Sequence, residues 1–463
     1  MGRAANRSRR STPVVAGVGR REFLRRSAAC GAAVAFPYVV TGPVSGQAAP
    51  SERVTVGMIG CGNIGSNYHI SILSREADVR FVAVADAYKS RREAQAARLN
   101  KKYGEGTVTA YADFREILAR PDVDAVIVGA HDNWHMPMSI AAAAAGKDVY
   151  CQKPLGLDFG LTGLLRDTVN RKKRIFQFGT QYRSMWRYRL MVQLVRNGYI
   201  GKLERIDLWS RDVSHNVHSY HVKPYGSTEV VPVPDDLDFD AWQGPSPIVP
   251  YTADRATCWG GYHCPETSLG FIAGCAIHEL GLAQWANKTD DTSPIRYKGT
   301  GRVPAEGVFR TLERWDVMCD YANGVKMRFM DYRTAQKAVG KYLPSWHRRD
   351  GVIFHGSEGW ISDAEGWATS NKKLWKQQFK PSDEILPVAK EHNRNFIDCV
   401  KSRNEPMCPV EMGIRCDAIC QLATVAAITG REINWDPKAE RILNDDEAAK
   451  MLVRPYREKW KVW

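Results

Sequence analysis

Six residues near the start of the chain could hold a phosphate group. Residues 53–60 form a β-branched, apolar run that ends at glycine, and Gly60-Cys61-Gly62-Asn63-Ile64-Gly65 follows directly. In a GxGxxG turn the first glycine permits a tight bend, and the second lets the backbone approach a pyrophosphate. The third allows close packing of helix and strand, while the helix N-terminus offers amide donors. Since the motif lies between a predicted strand and a predicted helix, it predicts dinucleotide binding.

Asp86 supplies a carboxylate that could distinguish NAD from NADP. The next apolar strand, residues 79–85, ends in Asp86, about twenty residues after the last glycine of the motif. Asp86 can accept a hydrogen bond from the adenosine ribose 2′-hydroxyl and would repel a 2′-phosphate, which favours NAD. Lys89, Arg91 and Arg92 follow closely and could neutralise a phosphate, so NADP stays open. A simple helix cap is the structural alternative for Asp86.

The elements that position these residues alternate between strand and helix. Residues 124–130 are strand-like, residues 136–145 form an Ala-rich helix, and residues 148–151 form a strand that leads into Gln152-Lys153-Pro154. This alternation predicts an α/β fold with a doubly wound parallel sheet, as in a Rossmann domain.

The pattern changes in the second half of the chain. From about residue 202 strands predominate, and Asn323-Gly324 is a strong hairpin signal between two of them. Residues 214–259 are rich in Pro, Tyr, His and Asp without periodicity, which is typical of long loops over a cleft.

Length and composition set the broad class of the protein. A chain of 463 residues exceeds what one compact core usually holds, so two domains are expected. With 44% apolar and 25% charged residues, the composition is that of a soluble globular protein. The net charge is +14, and residues 1–50 hold eight Arg and one Glu, which is half of it. No basic block alternates with aromatic residues, so we expect no nucleic-acid partner.

The N-terminal segment has the features of an export signal. Arg20-Arg21-Glu22-Phe23-Leu24-Arg25 is close to a twin-arginine motif, a weakly apolar run follows over residues 28–40, and Gly46-Gln47-Ala48 offers small residues for cleavage. The apolar run is shorter than the about 20 residues that span a bilayer, so no stable membrane insertion is expected. Residues 1–48 are therefore predicted to send the folded protein to the periplasm; a disordered basic tail is the alternative.

The cysteines point to no metal site. The chain has eleven Cys but no CxxC, and its Cys and His residues do not cluster in pairs, so no metal is expected. Cys258 with Cys264, or Cys416 with Cys420, could pair in an oxidising compartment.

Three further motifs resemble the Gfo/Idh/MocA family, the group of glucose–fructose oxidoreductase and inositol dehydrogenase. Residues 145–155 (AGKDVYCQKPL) are similar to the family's aGKhVyxEKPl run. Asp132-Asn133-Trp134-His135 resembles its Pro-Asp-x-Trp-His loop, and Gly179-Thr180-Gln181-Tyr182-Arg183 resembles its GTQxR stretch. The resemblance covers nearly all of residues 53–460, and the later pieces are similar to a subgroup with exported members.

The resemblance implies two domains after the signal. Residues 51–180 would form the Rossmann dinucleotide-binding domain. Residues 181–463 would form a C-terminal α/β domain whose open, largely antiparallel sheet covers the nicotinamide and often mediates homo-oligomerisation. The last helices, near residues 390–402 and 410–429, could return to the Rossmann domain.

The resemblance also implies catalytic residues. Lys153, at the end of a strand, would be the active-site lysine that hydrogen-bonds the reacting oxygen. His278 lies in a segment with helical spacing, residues 273–285, and would accept the hydroxyl proton. Structural alternatives are a surface lysine and a core histidine. The expected cofactor-binding residues are Gly60, Gly62, Asn63, Ile64, Gly65, Asp86, Asn133, His135, Gln152, Lys153 and Gln181. Substrate contacts are expected from Tyr182, Arg183, Tyr262 and His263.

The sequence departs from the family at two positions. The inositol dehydrogenase branch has an Asp four residues before the histidine, where this chain has Gly274. The family usually has Glu beside the lysine, where this chain has Gln152. Both changes put a standard inositol dehydrogenase mechanism in doubt.

Three functions remain open from the sequence. The first is an exported NAD-dependent oxidoreductase that acts on a sugar, a sugar derivative or a polyol. The second is a glycosidase that retains NAD, oxidises a sugar carbon transiently and eliminates the aglycone. The third is a non-catalytic NAD-binding protein, against which Lys153 and His278 argue.

The export signal can be tested directly. Replacing Arg20 and Arg21 by Lys should leave an uncleaved precursor in the cytoplasm, because the twin-arginine pair is the recognised feature of such signals. Cell fractionation and immunoblotting measure the distribution. Wild-type levels of the double variant in the periplasm would contradict the twin-arginine interpretation.

Overall fold

The computed structural model describes residues 52–212, 225–257, 259–342, 350–364 and 367–462. The predicted signal, residues 1–48, lies outside the described residues, as do Cys258 and residues 213–224 of the predicted loops. Two β-sheets organise the described part of the chain.

The first sheet has six parallel strands in the order β3-β2-β1-β4-β5-β6. Its strands are β1 (Val54–Ile59), β2 (Val79–Ala85), β3 (Thr109–Tyr111), β4 (Ala125–Val128), β5 (Asp148–Cys151) and β6 (Phe176–Phe178). Alternate residues of β4 enter different apolar clusters, Val126 one and Ile127 the other, so both faces of the sheet are buried. The predicted Rossmann sheet is confirmed, and its strand order reverses between β1 and β4, where the crevice of such folds opens.

Helices connect these strands. A π-helix, Ile64–Ile70, starts inside the glycine motif. The α-helices of this part are α1 (Ser71–Leu73), α2 (Lys89–Tyr103), α3 (Phe114–Leu118), α4 (Asp132–Ala144), α5 (Thr162–Arg171) and α6 (Trp186–Arg196). Helix α4 contains the predicted Ala-rich segment but begins at Asp132, so the Asp132–His135 motif forms its first turn.

The second sheet has eight strands in the order β12-β11-β7-β10-β9-β8-β13-β14. Its strands are β7 (Leu203–Ser210), β8 (Arg296–Arg302), β9 (Arg314–Asp320), β10 (Lys326–Asp331), β11 (Gly351–Gly356), β12 (Gly359–Ser362), β13 (Ile433–Asp436) and β14 (Arg441–Leu443). Strands β7 and β10 are parallel, and the other neighbours whose register is known are antiparallel. The predicted open, largely antiparallel sheet is confirmed. Gly324 turns the predicted β9–β10 hairpin with a φ of +90°.

Helices α7 to α13 belong to the second half of the chain. They are α7 (Phe239–Gln243), α8 (Phe271–Gly274), α9 (Ile277–Asn287), α10 (Tyr332–Val339), α11 (His392–Ser402), α12 (Val410–Thr429) and α13 (Asp446–Lys450). The helix predicted over residues 273–285 is divided between α8 and α9. The Ala276 N–H bonds to the carbonyl of Phe271, five residues back, and the His278 N–H bonds to that of Cys275, three residues back, so the α-helical spacing is interrupted.

Two C-terminal helices fill the core. By length and composition α12 is the one described helix that could cross a membrane, but 83% of that stretch is buried inside the protein. Cys416 and Cys420 on α12 are both buried free thiols, so this predicted disulfide is wrong. Helix α11 returns to the first sheet, where Phe396 packs in the same cluster as Val56 of β1.

Phe396→Ala tests the contribution of α11 to the first domain. Phe396 is fully buried, so the cavity left behind should lower the free energy of unfolding by about 3–5 kcal/mol. Chemical denaturation measures the change. Val388→Ala is the matched control, because Val388 is 70% exposed and its loss should cost at most about 0.5 kcal/mol. Equal effects of the two variants would show that α11 does not belong to this core.

Candidate active site

A cavity of about 540 Å³ opens at the carboxyl edge of the first sheet. Residues that follow β1, β2, β4 and β5 line it, because parallel strands end at the same edge. Its volume lies in the range of small-ligand sites. Nine of the sixteen predicted site residues line the cavity, namely Gly60, Gly62, Asn63, Ile64, Asp86, His135, Gln152, Lys153 and Tyr262.

The three glycines of the turn have different roles. Gly60 has a φ of +91°, and a Cβ there would lie 2.5 Å from the carbonyl oxygen of Gly129. A Cβ on Gly65 would lie 2.1 Å from the carbonyl oxygen of Gly60, so Gly65 packs behind the turn. A Cβ on Gly62 would meet only Arg91, at 3.9 Å. The fold itself therefore requires Gly60 and Gly65, while Gly62 leaves open space in which a pyrophosphate fits.

Asp86 ties the end of β2 to the glycine turn. One carboxylate oxygen accepts a hydrogen bond from the Cys61 N–H at 2.6 Å, and the other accepts one from the Tyr88 N–H at 2.8 Å. Burial raises the pKa of Asp86, while the backbone bonds and the nearby arginines oppose that rise. Arg91 also lines the cavity, stacked over the Tyr88 ring at 3.8 Å. A ribose hydroxyl can donate to Asp86, whereas a 2′-phosphate would meet its charge, so the carboxylate favours NAD.

Lys153 follows β5 and is held by the second domain. Its Nζ donates a hydrogen bond to the carbonyl oxygen of Gly274 at 2.6 Å and lies 5.6 Å from the centre of the Tyr262 ring. Burial alone would lower the pKa of Lys153, but Tyr262, Cys275 and Asp132 around it raise that pKa above its usual value. The side chain is therefore an ammonium ion at neutral pH.

Gln152 faces a neutral histidine. Its Nε2 lies 2.8 Å from Nε2 of His69, whose Nδ1 lies 2.7 Å from Oδ1 of Asn393. Burial lowers the pKa of His69 to about 3. Because the Asn393 oxygen can only accept, His69 carries its proton on Nδ1, and its Nε2 accepts from the Gln152 amide. The Gln152 amide thus donates to the neutral His69 ring. A carboxylate at position 152 could only accept, so it would require an additional buried proton, either on His69 or on the carboxylate.

Sequence reasoning missed Asp132 as a site residue. Its carboxylate lines the cavity, is 4% exposed and accepts a hydrogen bond from the Ser268 hydroxyl at 2.6 Å. Burial raises its pKa to about 7, and the Lys153 ammonium opposes that rise. The available signal was its position four residues after the end of β4, at the start of α4 and at the same strand edge as Asp86 and Lys153.

His278 lies beside the end of β6, next to β5. Its Nδ1 is 3.1 Å from the Thr180 hydroxyl, and its ring stacks on Tyr182 with centroids 4.6 Å apart. Tyr182 in turn stacks on Tyr188 at 4.1 Å. Neither His278 nor Tyr182 is among the residues that line the cavity. Their roles toward a substrate stay predictions.

Three other predicted site residues do not line the cavity. The Arg183 guanidinium is buried and paired with Asp290 at 2.6 Å. His263 is buried and packs edge-on against Phe271, with ring centroids 4.8 Å apart. Gln181 starts the 3₁₀ turn Gln181–Ser184 and does not line the cavity.

A segment of the second half of the chain crosses the cavity near Asp86. We call it the strap (residues 234–257). The Lys89 N–H donates to the carbonyl oxygen of Asp236 at 2.8 Å, and the Tyr88 hydroxyl donates to that of Ala256 at 3.0 Å. Trp242 and Ala256 of the strap line the cavity and belong to an apolar cluster that packs on Tyr88. The strap thereby encloses the side of the cavity where Asp86 would hold the ribose.

The first turn of α4 holds the strap. Asn133 Nδ2 donates to the carbonyl oxygen of Gln243 at 2.8 Å, and Trp134 Nε1 donates to that of Ala241 at 3.0 Å. The predicted cofactor residue Asn133 is thus used within the protein, whereas His135 lines the cavity.

Gly62→Val separates folding from cofactor binding. Since only a guanidinium at 3.9 Å faces this position, the variant should keep the melting temperature of the wild type. Its side chain would occupy the pyrophosphate space, and overpacking of about 1–3 kcal/mol would weaken NAD binding by roughly 5–150-fold. Fluorescence titration and thermal melting measure the two effects. Wild-type NAD affinity in Gly62→Val would refute the assignment of this turn.

Comparison with known proteins gives the same two-part division. The model of the oxidoreductase family with an NAD-binding Rossmann fold (GFO/IDH/MocA) matches residues 54–180, and the model of the family's C-terminal alpha/beta domain matches residues 191–462. A myo-inositol 2-dehydrogenase of Thermotoga maritima is 31% identical over 157 residues, which are 34% of this chain and 45% of that protein. The chain thus matches less than half the length of this curated relative.

Solved structures share the fold at low sequence identity. The aldose–aldose oxidoreductase from Caulobacter crescentus superposes with a TM-score of 0.57 at 14% identity, covering 82% of this chain and 99% of that one. The WlbA dehydrogenase from Bordetella pertussis, in complex with NADH and UDP-GlcNAcA, superposes with a TM-score of 0.60 at 14% identity, covering 83% and 98%. With both domain models matched, the chain belongs to the GFO/IDH/MocA oxidoreductase family and contains its NAD-binding Rossmann domain.

Proposed function

We propose that the protein oxidises a hydroxyl group of a sugar, a sugar derivative or a polyol, with NAD as the hydride acceptor. The observation that carries this proposal is Lys153, a half-buried ammonium that lines the same cavity as the glycine turn and Asp86. The names of the relatives, among them inositol dehydrogenases and an aldose–aldose oxidoreductase, support a polyhydroxylated substrate.

The chain's own residues would bind the dinucleotide and prepare the hydroxyl. The turn at Gly62 and the helix after it would take the pyrophosphate, and Asp86 would take the ribose. When bound, the nicotinamide supplies the hydride acceptor. The Lys153 ammonium, oriented by the Gly274 carbonyl, would donate a hydrogen bond to the reacting oxygen and stabilise negative charge on it. His278, which lies on α9 beside the end of β6, is the predicted proton acceptor.

The strap favours a second candidate function. It is bonded to the β2–α2 turn through Lys89 and Tyr88 and encloses the cavity near Asp86, so a bound dinucleotide would leave slowly. Such retention suits a glycosidase that oxidises a sugar carbon, eliminates the aglycone and reduces the product with the same cofactor. It also suits twin-arginine export, which we propose from residues 20–25, because folded proteins take this route with the cofactor already bound.

Lys153→Met tests the proposed role of the ammonium. The variant keeps most of the side-chain length but no charge, so turnover should fall by about 10²-fold or more. NAD affinity should change little, because the pyrophosphate and the adenosine ribose are assigned to the Gly62 turn and to Asp86. Lys101→Met, an exposed lysine of α2, is the matched control and should keep wild-type turnover.

The assay distinguishes the two candidate functions. Purified protein is screened with free sugars and polyols for NADH formation, and with aryl glycosides for aglycone release. Net NADH formation supports the dehydrogenase, and aglycone release without net NADH supports the glycosidase. Turnover of any confirmed substrate that survives Lys153→Met would contradict the proposed site.

A further inference from the structure

We propose that Tyr262, paired with Lys153, exchanges the proton with the reacting hydroxyl group. The inference rests on the proposed function, since it assigns a step of that reaction. Sequence reasoning placed Tyr262 among the substrate contacts and gave the proton to His278.

Tyr262 is placed at the reacting end of the cavity. It ends the 3₁₀ turn Gly260–Tyr262 and lines the cavity together with Lys153 and Asp132. The Lys153 ammonium lies 5.6 Å from the centre of the Tyr262 ring, and its charge acts on the Tyr262 hydroxyl to lower the pKa of that group. A hydroxyl beside the Lys153 ammonium also lies near an oxygen bound to that ammonium.

Gly274 explains why the tyrosine is there. A Cβ at position 274 would lie 2.6 Å from Cε1 and 2.9 Å from Cδ1 of Tyr262, so a side chain and this ring position exclude each other. The carboxylate of the inositol dehydrogenase branch and the Tyr262 ring would thus occupy the same space. The glycine at position 274 therefore has two effects: it removes the carboxylate, and it leaves the space that the Tyr262 ring occupies beside Lys153.

His278 is less well placed for the proton. Its Nδ1 faces the Thr180 hydroxyl, its ring stacks on Tyr182, and it does not line the cavity. Tyr262 lines the cavity, which His278 does not, and the Lys153 ammonium beside its ring stabilises its ionised form.

The step balances with the nicotinamide as redox partner. In the reduction direction the hydride adds to the carbonyl carbon, the π electron pair moves to oxygen, and that oxygen takes the Tyr262 proton. A phenolate then remains beside the Lys153 ammonium. In the oxidation direction the phenolate takes the hydroxyl proton as the hydride leaves the carbinol carbon for the nicotinamide, and the phenol proton passes to water.

The groups around Tyr262 determine how the rates of reduction and oxidation depend on pH. The titratable groups that face it are Lys153, Asp132 and Cys275. Burial raises the pKa of Tyr262 to about 12, and the Lys153 ammonium opposes that rise. The proton is therefore present for reduction at neutral pH, whereas oxidation should accelerate as pH rises and the phenolate fraction grows.

Tyr262→Phe tests the assignment against His278→Ala. The phenylalanine ring keeps the packing on Gly274, and kcat should fall by about 10²-fold or more in both directions while NAD affinity is little changed. The increase of the oxidation rate with pH should disappear. His278→Ala should lower kcat less than Tyr262→Phe does and should raise KM. Tyr103→Phe, which removes a hydroxyl at a residue that does not line the cavity, should behave as wild type.

A readout without substrate separates this inference from the proposed function. In protein labelled with ¹³C at the tyrosine ring, the signal lost in Tyr262→Phe reports the ionisation of Tyr262. Lys153→Met should shift this titration to higher pH. An unchanged titration, or wild-type kcat in Tyr262→Phe together with a larger loss in His278→Ala, would overturn the pairing. Absence of hydride transfer by the wild type from every sugar and polyol would instead overturn the proposed function.

Discussion

The six strands of the first sheet run parallel, so their carboxyl ends lie along one edge, and this constraint places the reactive groups that the first domain supplies. Gly60 follows β1, Asp86 follows β2, Lys153 follows β5 and Thr180 follows β6. These residues are far apart in the chain, yet the sheet hydrogen bonds set neighbouring strand ends side by side. Both faces of the sheet are buried, so the edge cannot shift without breaking two apolar clusters. The cavity forms where the strand order reverses.

Segments from the second half of the chain enclose the cavity at this edge of the sheet. The strap encloses the side near Asp86, and the segment around Tyr262 and Gly274 encloses the side near Lys153. A cation and a carboxyl group then share the cavity. The Lys153 ammonium donates to the Gly274 carbonyl and lies beside the Tyr262 ring, while burial raises the pKa of Asp132 to about 7. A hydroxyl bound between them would meet a fixed positive charge, which is the environment that an alkoxide requires.

The parts of the site that depend on local pattern could be predicted from the sequence. The glycine turn and Asp86 follow their strands at the expected spacing, and Lys153 lies at a strand end that the alternation of elements reveals. The contacts of Tyr262 depend on packing across more than one hundred positions of chain, which no spacing rule reports. Partners within the protein could not be anticipated for polar residues either. The Asn133 amide donates to the Gln243 carbonyl oxygen and to the Ser246 hydroxyl of the strap, and its role toward a cofactor stays a prediction. The division of the helix before His278 arises from two shifted backbone hydrogen bonds, which helical periodicity cannot anticipate.

Lys153 and the nicotinamide are proposed to act on the same carbinol group, the ammonium on its oxygen and the nicotinamide on the hydride of its carbon. The most direct measurement is transfer of deuterium: the holoenzyme is incubated with a substrate deuterated at that carbon, and the nicotinamide is analysed by mass spectrometry. In samples quenched during turnover, deuterium should be present in the reduced nicotinamide ring for a dehydrogenase and for a redox-neutral glycosidase alike, although the glycosidase later returns it to the sugar. With Lys153→Met the deuterated nicotinamide should form about 10²-fold more slowly or less. Turnover of the deuterated substrate with no deuterium in the nicotinamide would contradict this account.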